Sequence, residues 1–390
     1  MANELALALI TPYSLRKSRT GGIIGRLILR TGLDLVGVRM IAPSQQLVDD
    51  YAALLRDHGN TEGTDFDEGQ LLSTYVAGSF APEANTGKRR RTMLLLFEGE
   101  NAIQRINQAI GSFTARPMSA QSIRDTYGDL VRNEAGDVVF LEPAVISSPT
   151  AEKTAEVLQL WVNGTEADER PLKNLAVAPD GDDIEQTLVL LKPDNFRFAS
   201  VRPGIIIDIF SSSGLQIVGA KIDRLSVEEA LEFYGPVKEI LRSKRKAETA
   251  MRSRQAIEAA LGHPLPDEVE DPLGELIGPH VGDRIFNELV EFMTGRWAPS
   301  CKPEEFGVPG EARILALVYS GRDAVSKIRS ILGPTDPSKA EPGSVRKEYG
   351  QDVMVNAAHA SDSPENAQRE MKIIKIHRDG LQKLLARHGI

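Results

Sequence analysis

Apolar residues fall in two registers along this chain. Unbroken runs, LALALI (5–10), MLLLF (93–97), LVLL (188–191) and ILALV (314–318), have the length and setting of buried strands. Stretches such as GIIGRLILR (22–30) and NAIQRINQAI (101–110) repeat apolar side chains at helical spacing, which predicts amphipathic helices. Gly32 and Gly111 close them.

The whole pattern occurs twice. GGIIGRLILRTGLDLVGVRM (21–40) aligns with PGIIIDIFSSSGLQIVGAKI (203–222), with Gly22, Gly32 and Gly37 on Gly204, Gly214 and Gly219. RTMLLLFEGENAIQRINQAIG (91–111) aligns with RILALVYSGRDAVSKIRSILG (313–333) at a larger offset, and Arg124 falls on Arg346. A third pair matches VVFLEPAVISSPT with VMVNAAHASDSPE, Ser148-Pro149 lying on Ser363-Pro364. Each copy reads β-α-β, helices, β-α-β, which suits an α+β fold of two ferredoxin-like βαββαβ units with four-stranded antiparallel sheets. The predicted division is a first domain at 1–165, a polar Gly-, Pro- and Asp-rich linker at 166–184, and a second domain at 185–390. The change of offset places an insertion at about 238–284, predicted to start as one charged helix over 238–262 with a thin apolar stripe.

At 390 residues, with 41% hydrophobic and 26% charged residues, the chain has the composition of a soluble multidomain protein. The net charge of −9 argues against broad nucleic-acid coating. Cys301 is the only cysteine, which excludes an internal disulfide and fits a reducing compartment. No apolar stretch is long enough to span a bilayer, and MANELALALI reads as a first strand. A cytoplasmic enzyme or binding protein is expected. GKRRRT (87–92) reads as a solvated turn before a strand.

Neither a GxGxxG turn nor an HExxH helix is present, and the Walker-like spacing in GLQIVGAK (214–221) lacks its Gly-Lys-Ser/Thr end. The candidate chemistry is spread through the second unit. Lys192 ends an apolar strand, Arg329 lies on a helix, Thr335 and Arg346 flank the loop GPTDPSKAEPGSVR, and His359 sits among small side chains. Cations and a hydroxyl gathered around a multiply charged group are what phosphoryl transfer needs, and a neutral histidine can accept the phosphoryl group. Ser363 is placed to cap a helix on which Glu370 could orient the imidazole.

TLVLLKPD (187–194), GLQIVGAK (214–221), GPTDPSKAEPGSVRKEYG (333–350) and NAAHASDSPENAQRE (356–370) together resemble the nucleoside diphosphate kinase family. The resemblance covers nearly all of 185–375 apart from the insertion. It implies a ping-pong kinase that moves the γ-phosphate of a nucleoside triphosphate to a nucleoside diphosphate through phosphorylated His359. It further implies catalytic parts for Glu370, Lys192 and Tyr234, and nucleotide contacts from Lys192, Phe286, Arg329, Thr335, Arg346 and Asn356, the last to the sugar. Mg²⁺ is implied on the nucleotide phosphates, with no protein-held metal, and a homo-oligomer is implied in which the first unit is structural. Membrane and nucleic-acid partners are not expected. The sequence departs from the family at Ala360, where glycine is usual, at Asp336, where asparagine is usual, and at the insertion between Tyr234 and Phe286.

In the first unit Thr11 aligns with Lys192, Asn107 with Arg329, Phe113 with Thr335, Leu141 with Asn356 and Ala144 with His359, while Tyr51 and Arg124 are kept. That unit reads as a degenerate copy. Two other functions remain open at this level: a nucleotide-binding regulatory module with decayed activity, and nucleic-acid binding through the basic stretch 238–254.

Overall fold

β1 (Glu4–Ile10) is buried from Leu5 to Ile10, which accounts for its continuous apolar run. It pairs antiparallel with β3 (Thr92–Gly99), in register from Glu4↔Gly99 to Ile10↔Met93. β2 (Asp34–Ile41) lines the other edge of β3, with a register shift between Leu35 and Gly37. After a separate ribbon of β4 (Asp129–Arg132) and β5 (Val138–Glu142), the short β6 (Val145–Ile146) closes the sheet on β1. The order is β2-β3-β1-β6. The computed structural model describes residues 3–56, 67–113, 121–164, 171–176 and 183–390; much of the expected linker at 166–184 lies outside the described residues.

The second half repeats this arrangement with β7 (Ile184–Leu191), β8 (Gln216–Asp223), β9 (Ile314–Arg322) and β10 (Ala358–Ala360), in the order β10-β7-β9-β8. β7 pairs antiparallel with β9 and with β10. In each sheet the first and third strands are central and crossing helices link the pairs, the βαββαβ ferredoxin-like plan of an α+β protein.

Packing divides the chain differently from the repeat. Met1–Ile222 and Leu315–Ile390 form one compact unit containing both sheets, and Asp223–Ile314 forms another. Within the first, the equivalent helices Thr20–Thr31 and Arg202–Ser211 meet backbone to backbone: a Cβ on Gly204 would lie 2.2 Å from the Gly21 carbonyl oxygen and 2.4 Å from the Gly25 nitrogen. The Gly22 amide donates to Asp208 Oδ1 at 3.0 Å across this contact. Arg39 on β2 forms a buried two-pronged ion pair with Asp379. Residues 171–176, predicted as linker, bury Leu172 and Leu175 and pair with Arg89 and Val218. The C-terminal helix Leu381–Arg387 sends Leu381 and Leu385 into the core beneath β1, beside Tyr51, Phe80 and Trp161.

The other unit carries the insertion. The single charged helix predicted over 238–262 is two: Val227–Lys244 runs on past Tyr234, and Lys246–Leu261 follows after a break at Arg245. A long helix, Glu270–Thr294, packs on both. The apolar stripe is not what holds them, since Ile240, Met251 and Leu261 are exposed. Glycines at helical spacing do so, a Cβ on Gly278 falling 2.9 Å from Lys246 Cα and one on Gly282 falling 2.6 Å from Arg242 Cα. The cations of 238–254 are largely matched by carboxylates: Arg242 with Asp283 and Glu239, Lys246 with Glu275, and Arg254 with Glu258, Asp267 and Glu270. Among the described residues no helix is long and apolar enough to cross a membrane.

Candidate functional site

The site grows from the end of β7. The apolar strand delivers Lys192 into a buried position, where Nζ donates to the Met354 carbonyl at 3.0 Å and to Asn356 Oδ1 at 2.8 Å. Burial, with Arg346 nearby, pushes the ammonium down to about 8. Asn356 spends its amide group on the Thr335 and Val353 carbonyls, so one side chain ties the lysine to the loop after Gly333. Asn195 donates to the Lys192 and Ala357 carbonyls. Arg202 bonds Asp194 and the Tyr349 carbonyl, which fixes the turn that follows the lysine.

β10 carries His359 opposite Leu190, two residues before Lys192 on the neighbouring strand. His359 Nε2 lies 3.0 Å from Glu370 Oε2, and Ser361 Oγ donates to the same oxygen at 2.6 Å. Glu370 is buried on the helix Pro364–Ile373, started by Ser363, whose hydroxyl accepts from the Asn366 amide at 3.1 Å. A carboxylate at Nε2 favours the tautomer with its proton there, leaving the lone pair on Nδ1. Arg346 braces the strand: Nη1 donates to the Gly333 carbonyl at 2.9 Å and Nη2 to the Ala358 carbonyl at 3.1 Å, next to the histidine. Alanine at 360, where the resembled family usually has glycine, meets no special backbone demand. Ala360 is an ordinary residue of β10, and Ala357 takes the left-handed conformation, φ 70°.

Arg329 and Thr335 are exposed, and Arg329 is close enough to help hold the Asp362 carboxyl below its ordinary range, after the hydrogen bond from Asn366. Asp336 caps the turn Pro337–Lys339, accepting from the Ser338 amide at 3.0 Å and hydroxyl at 2.7 Å; those bonds keep it ionised. Lys192, Arg346, Asn356, His359 and Glu370 are thus joined through hydrogen bonds and one strand pair. Tyr234 and Phe286 belong to the other compact unit and are buried there, Tyr234 against Phe233 and Phe286 beneath the Lys238 ammonium, 5.6 Å from the ring centre. Sequence reasoning missed Ser361, Asn195 and Arg202. Ser361 stands in a quoted motif and Asn195 directly follows another, but nothing in the pattern says that their side chains turn inward.

The first half corrects the alignment. Ile10 pairs with Val145 as Leu191 pairs with Ala358, so Val145 is the equivalent of Ala358, and Ile146, not Ala144, occupies the place of His359. Ala144 matches Ala357: both are left-handed, and their carbonyls accept from Thr11 N and Lys192 N. Pro143, not Leu141, then matches Asn356. The Ser-Pro anchor misled because the helix Ala151–Asn163 is capped by Thr150, two residues after Ser148. At the tip of β1 the lysine is replaced by a closed polar cluster: Thr11 and Ser14 donate to Glu142 Oε1 and Tyr75 donates to Oε2. Arg124 keeps its bond to the Gly111 carbonyl but stacks 3.7 Å from the ring centre of Phe113, where Thr335 stands in the second half.

The family model described as nucleoside diphosphate kinase matches residues 273–377. A nucleoside diphosphate kinase of Staphylothermus marinus is 31% identical over 190 residues, covering 49% of this chain and 92% of its relative. One from Pyrobaculum aerophilum is 32% identical over 199 residues, covering 48% and 93%. Among solved structures, the Aquifex aeolicus nucleoside diphosphate kinase aligns with a TM-score of 0.31 at 30% identity, over 49% of this chain and 94% of that one. Over the half of its length that these relatives span, the chain belongs to the nucleoside diphosphate kinase family.

Proposed function

We propose that the protein is a nucleoside diphosphate kinase whose second half transfers the γ-phosphoryl group of a nucleoside triphosphate through His359. The observation that carries this reading is the His359–Glu370 pair, set beside Lys192 and Arg346 by one strand pairing. Glu370 holds the Nε2 proton and leaves Nδ1 as nucleophile. The Nδ1 lone pair attacks the γ-phosphorus, the bond to the β-phosphate oxygen breaks, and the nucleoside diphosphate leaves with that electron pair. A second nucleoside diphosphate then attacks the phosphohistidine through a terminal β-phosphate oxygen, and the phosphorus–nitrogen bond breaks. Lys192, Arg329 and Arg346 offset charge on the transferring group, and Thr335 adds a hydroxyl donor. Asn356 acts here as the tie between lysine and loop.

Magnesium would travel on the nucleotide phosphates. The donor set fits that role, because Glu370 is committed to His359 and Ser361, and Asp336 to Ser338. Bound there, the ion would neutralise phosphate charge. The first half, with Ile146 in the histidine's place and Glu142 at the strand tip, lacks a nucleophile for this chemistry and serves as scaffold.

The test is incubation with γ-labelled ATP. Wild type should acquire an acid-labile, base-stable label that a nucleoside diphosphate removes, and His359→Ala should acquire none. Turnover retained in His359→Ala would sink the proposal. Nucleotide binding by folded wild type without label would favour a regulatory module.

A further inference from the structure

GKRRRT, expected as a solvated turn, instead lines a cavity. Arg89, Arg90 and Arg91, with Tyr13, Arg16 and Glu83, enclose about 280 Å³, and Leu175 and Ala176 of the strip 171–176 complete one wall. These residues do not include the Thr11, Ser14, Tyr75 and Glu142 cluster of the first half, nor any residue of the Lys192–His359 site. Arg90 Nη1 donates to the Gly78 carbonyl at 2.8 Å and Arg91 Nη1 to the Ile217 carbonyl, which holds each planar fork by one nitrogen. Among the described residues, neither Arg16, Arg90 nor Arg91 has a carboxylate within ion-pair distance, although Glu83 lines the same space. Burial pushes the Arg91 guanidinium down to about 10, so this cation has lost water without gaining an anion. Arg16, Lys17 and Arg19 gather within 5.7 Å of the Tyr13 ring centre, and of these cations Arg16 lines the cavity itself.

Such a concentration of cations is unusual in a chain of net charge −9. Arginine forks converging on a small space match an anion with several oxygens and more than one charge, which a single carboxylate is not. We propose that this cavity binds a polyphosphate group, free or carried on a nucleotide, at a site separate from Lys192 and His359. The cavity site does not rest on the kinase reading; only the second site counted in wild type does, which is why the deciding comparison is made in Lys192→Met. Its occupant would bridge the start of β3 and the strip 171–176, because the Arg89 backbone already pairs with Asn174 and Ala176.

The test is calorimetric titration of the full chain with inorganic tripolyphosphate at low salt. Wild type should show two sites, and Lys192→Met should keep one. Adding Arg16→Gln and Arg90→Gln to Lys192→Met should weaken that remaining site at least tenfold, with thermal unfolding showing the chain still folded. Arg16→Gln/Arg90→Gln alone reads the same difference, one site where wild type has two. The same titration with ATP separates the sources: tighter binding than tripolyphosphate assigns a nucleotide, and equal binding assigns the phosphates alone. No binding to Lys192→Met, or binding unchanged by the two arginine substitutions, would overturn the proposal.

Discussion

At the scale of single residues, the site is a set of committed side chains. Glu370 serves His359 and Ser361 through one oxygen, so replacing its charge should loosen the imidazole without emptying the space. Glu370→Gln is expected to slow phosphohistidine formation in single-turnover labelling by about tenfold or more, the equivalent of ~1.4 kcal/mol in the barrier. Nucleotide affinity should change much less; an equal loss in both would point to disrupted folding. Lys192 gives a pH dependence of known sign. In the free protein burial holds its pKa near 8, whereas a bound polyphosphate favours the charged form. Binding should therefore take up a proton around pH 8, and affinity should fall as pH rises from about 7 to about 9. Calorimetry in buffers of different ionisation enthalpy reads that proton directly, and Lys192→Met should abolish the uptake. His359, Glu370, Lys192 and Arg346 were legible because their spacing places chemistry at strand ends and on a helix. Ser361, Asn195 and the tie made by Asn356 were not, because whether a polar side chain turns inward depends on packing.

Among elements, repetition within the chain made the sheets readable, and small offsets limited the rest. The Ser-Pro pair was a sound helix signal in the second half, where Ser363 is the cap, but in the first half Thr150 caps instead. A shift of two residues preserves the alternation of strand faces, so hydrophobic pattern alone could not expose it. The insertion failed differently: glycines at helical spacing look like helix weakeners in sequence and become the contact surface once two helices pack. The same device joins the halves. Gly204→Val would place branched carbons against the Gly21 carbonyl and the Gly25 backbone. It should cost about 1–3 kcal/mol or more in urea unfolding, as overpacking does elsewhere. A variant as stable as wild type would show that these helices can part without loss.

For the molecule as a whole, the two halves behave as partners within one chain. The buried Arg39–Asp379 pair spans them, and removing one member breaks a two-pronged ion pair in a dehydrated setting. Asp379→Asn is expected to destabilise by about 3–5 kcal/mol, and the double replacement Arg39→Met/Asp379→Leu by much less. Equal losses in both variants would mean that the pair adds nothing beyond its bulk. The helix Leu381–Arg387 has a consequence for the order of synthesis. Leu381 and Leu385 fill the core beneath β1, yet they leave the ribosome only after every strand of both sheets. The half that is made first therefore waits, incompletely closed, until the sheet that carries the histidine has been made. A chain cut short during translation holds an open core and is marked for disposal by its own exposed apolar surface.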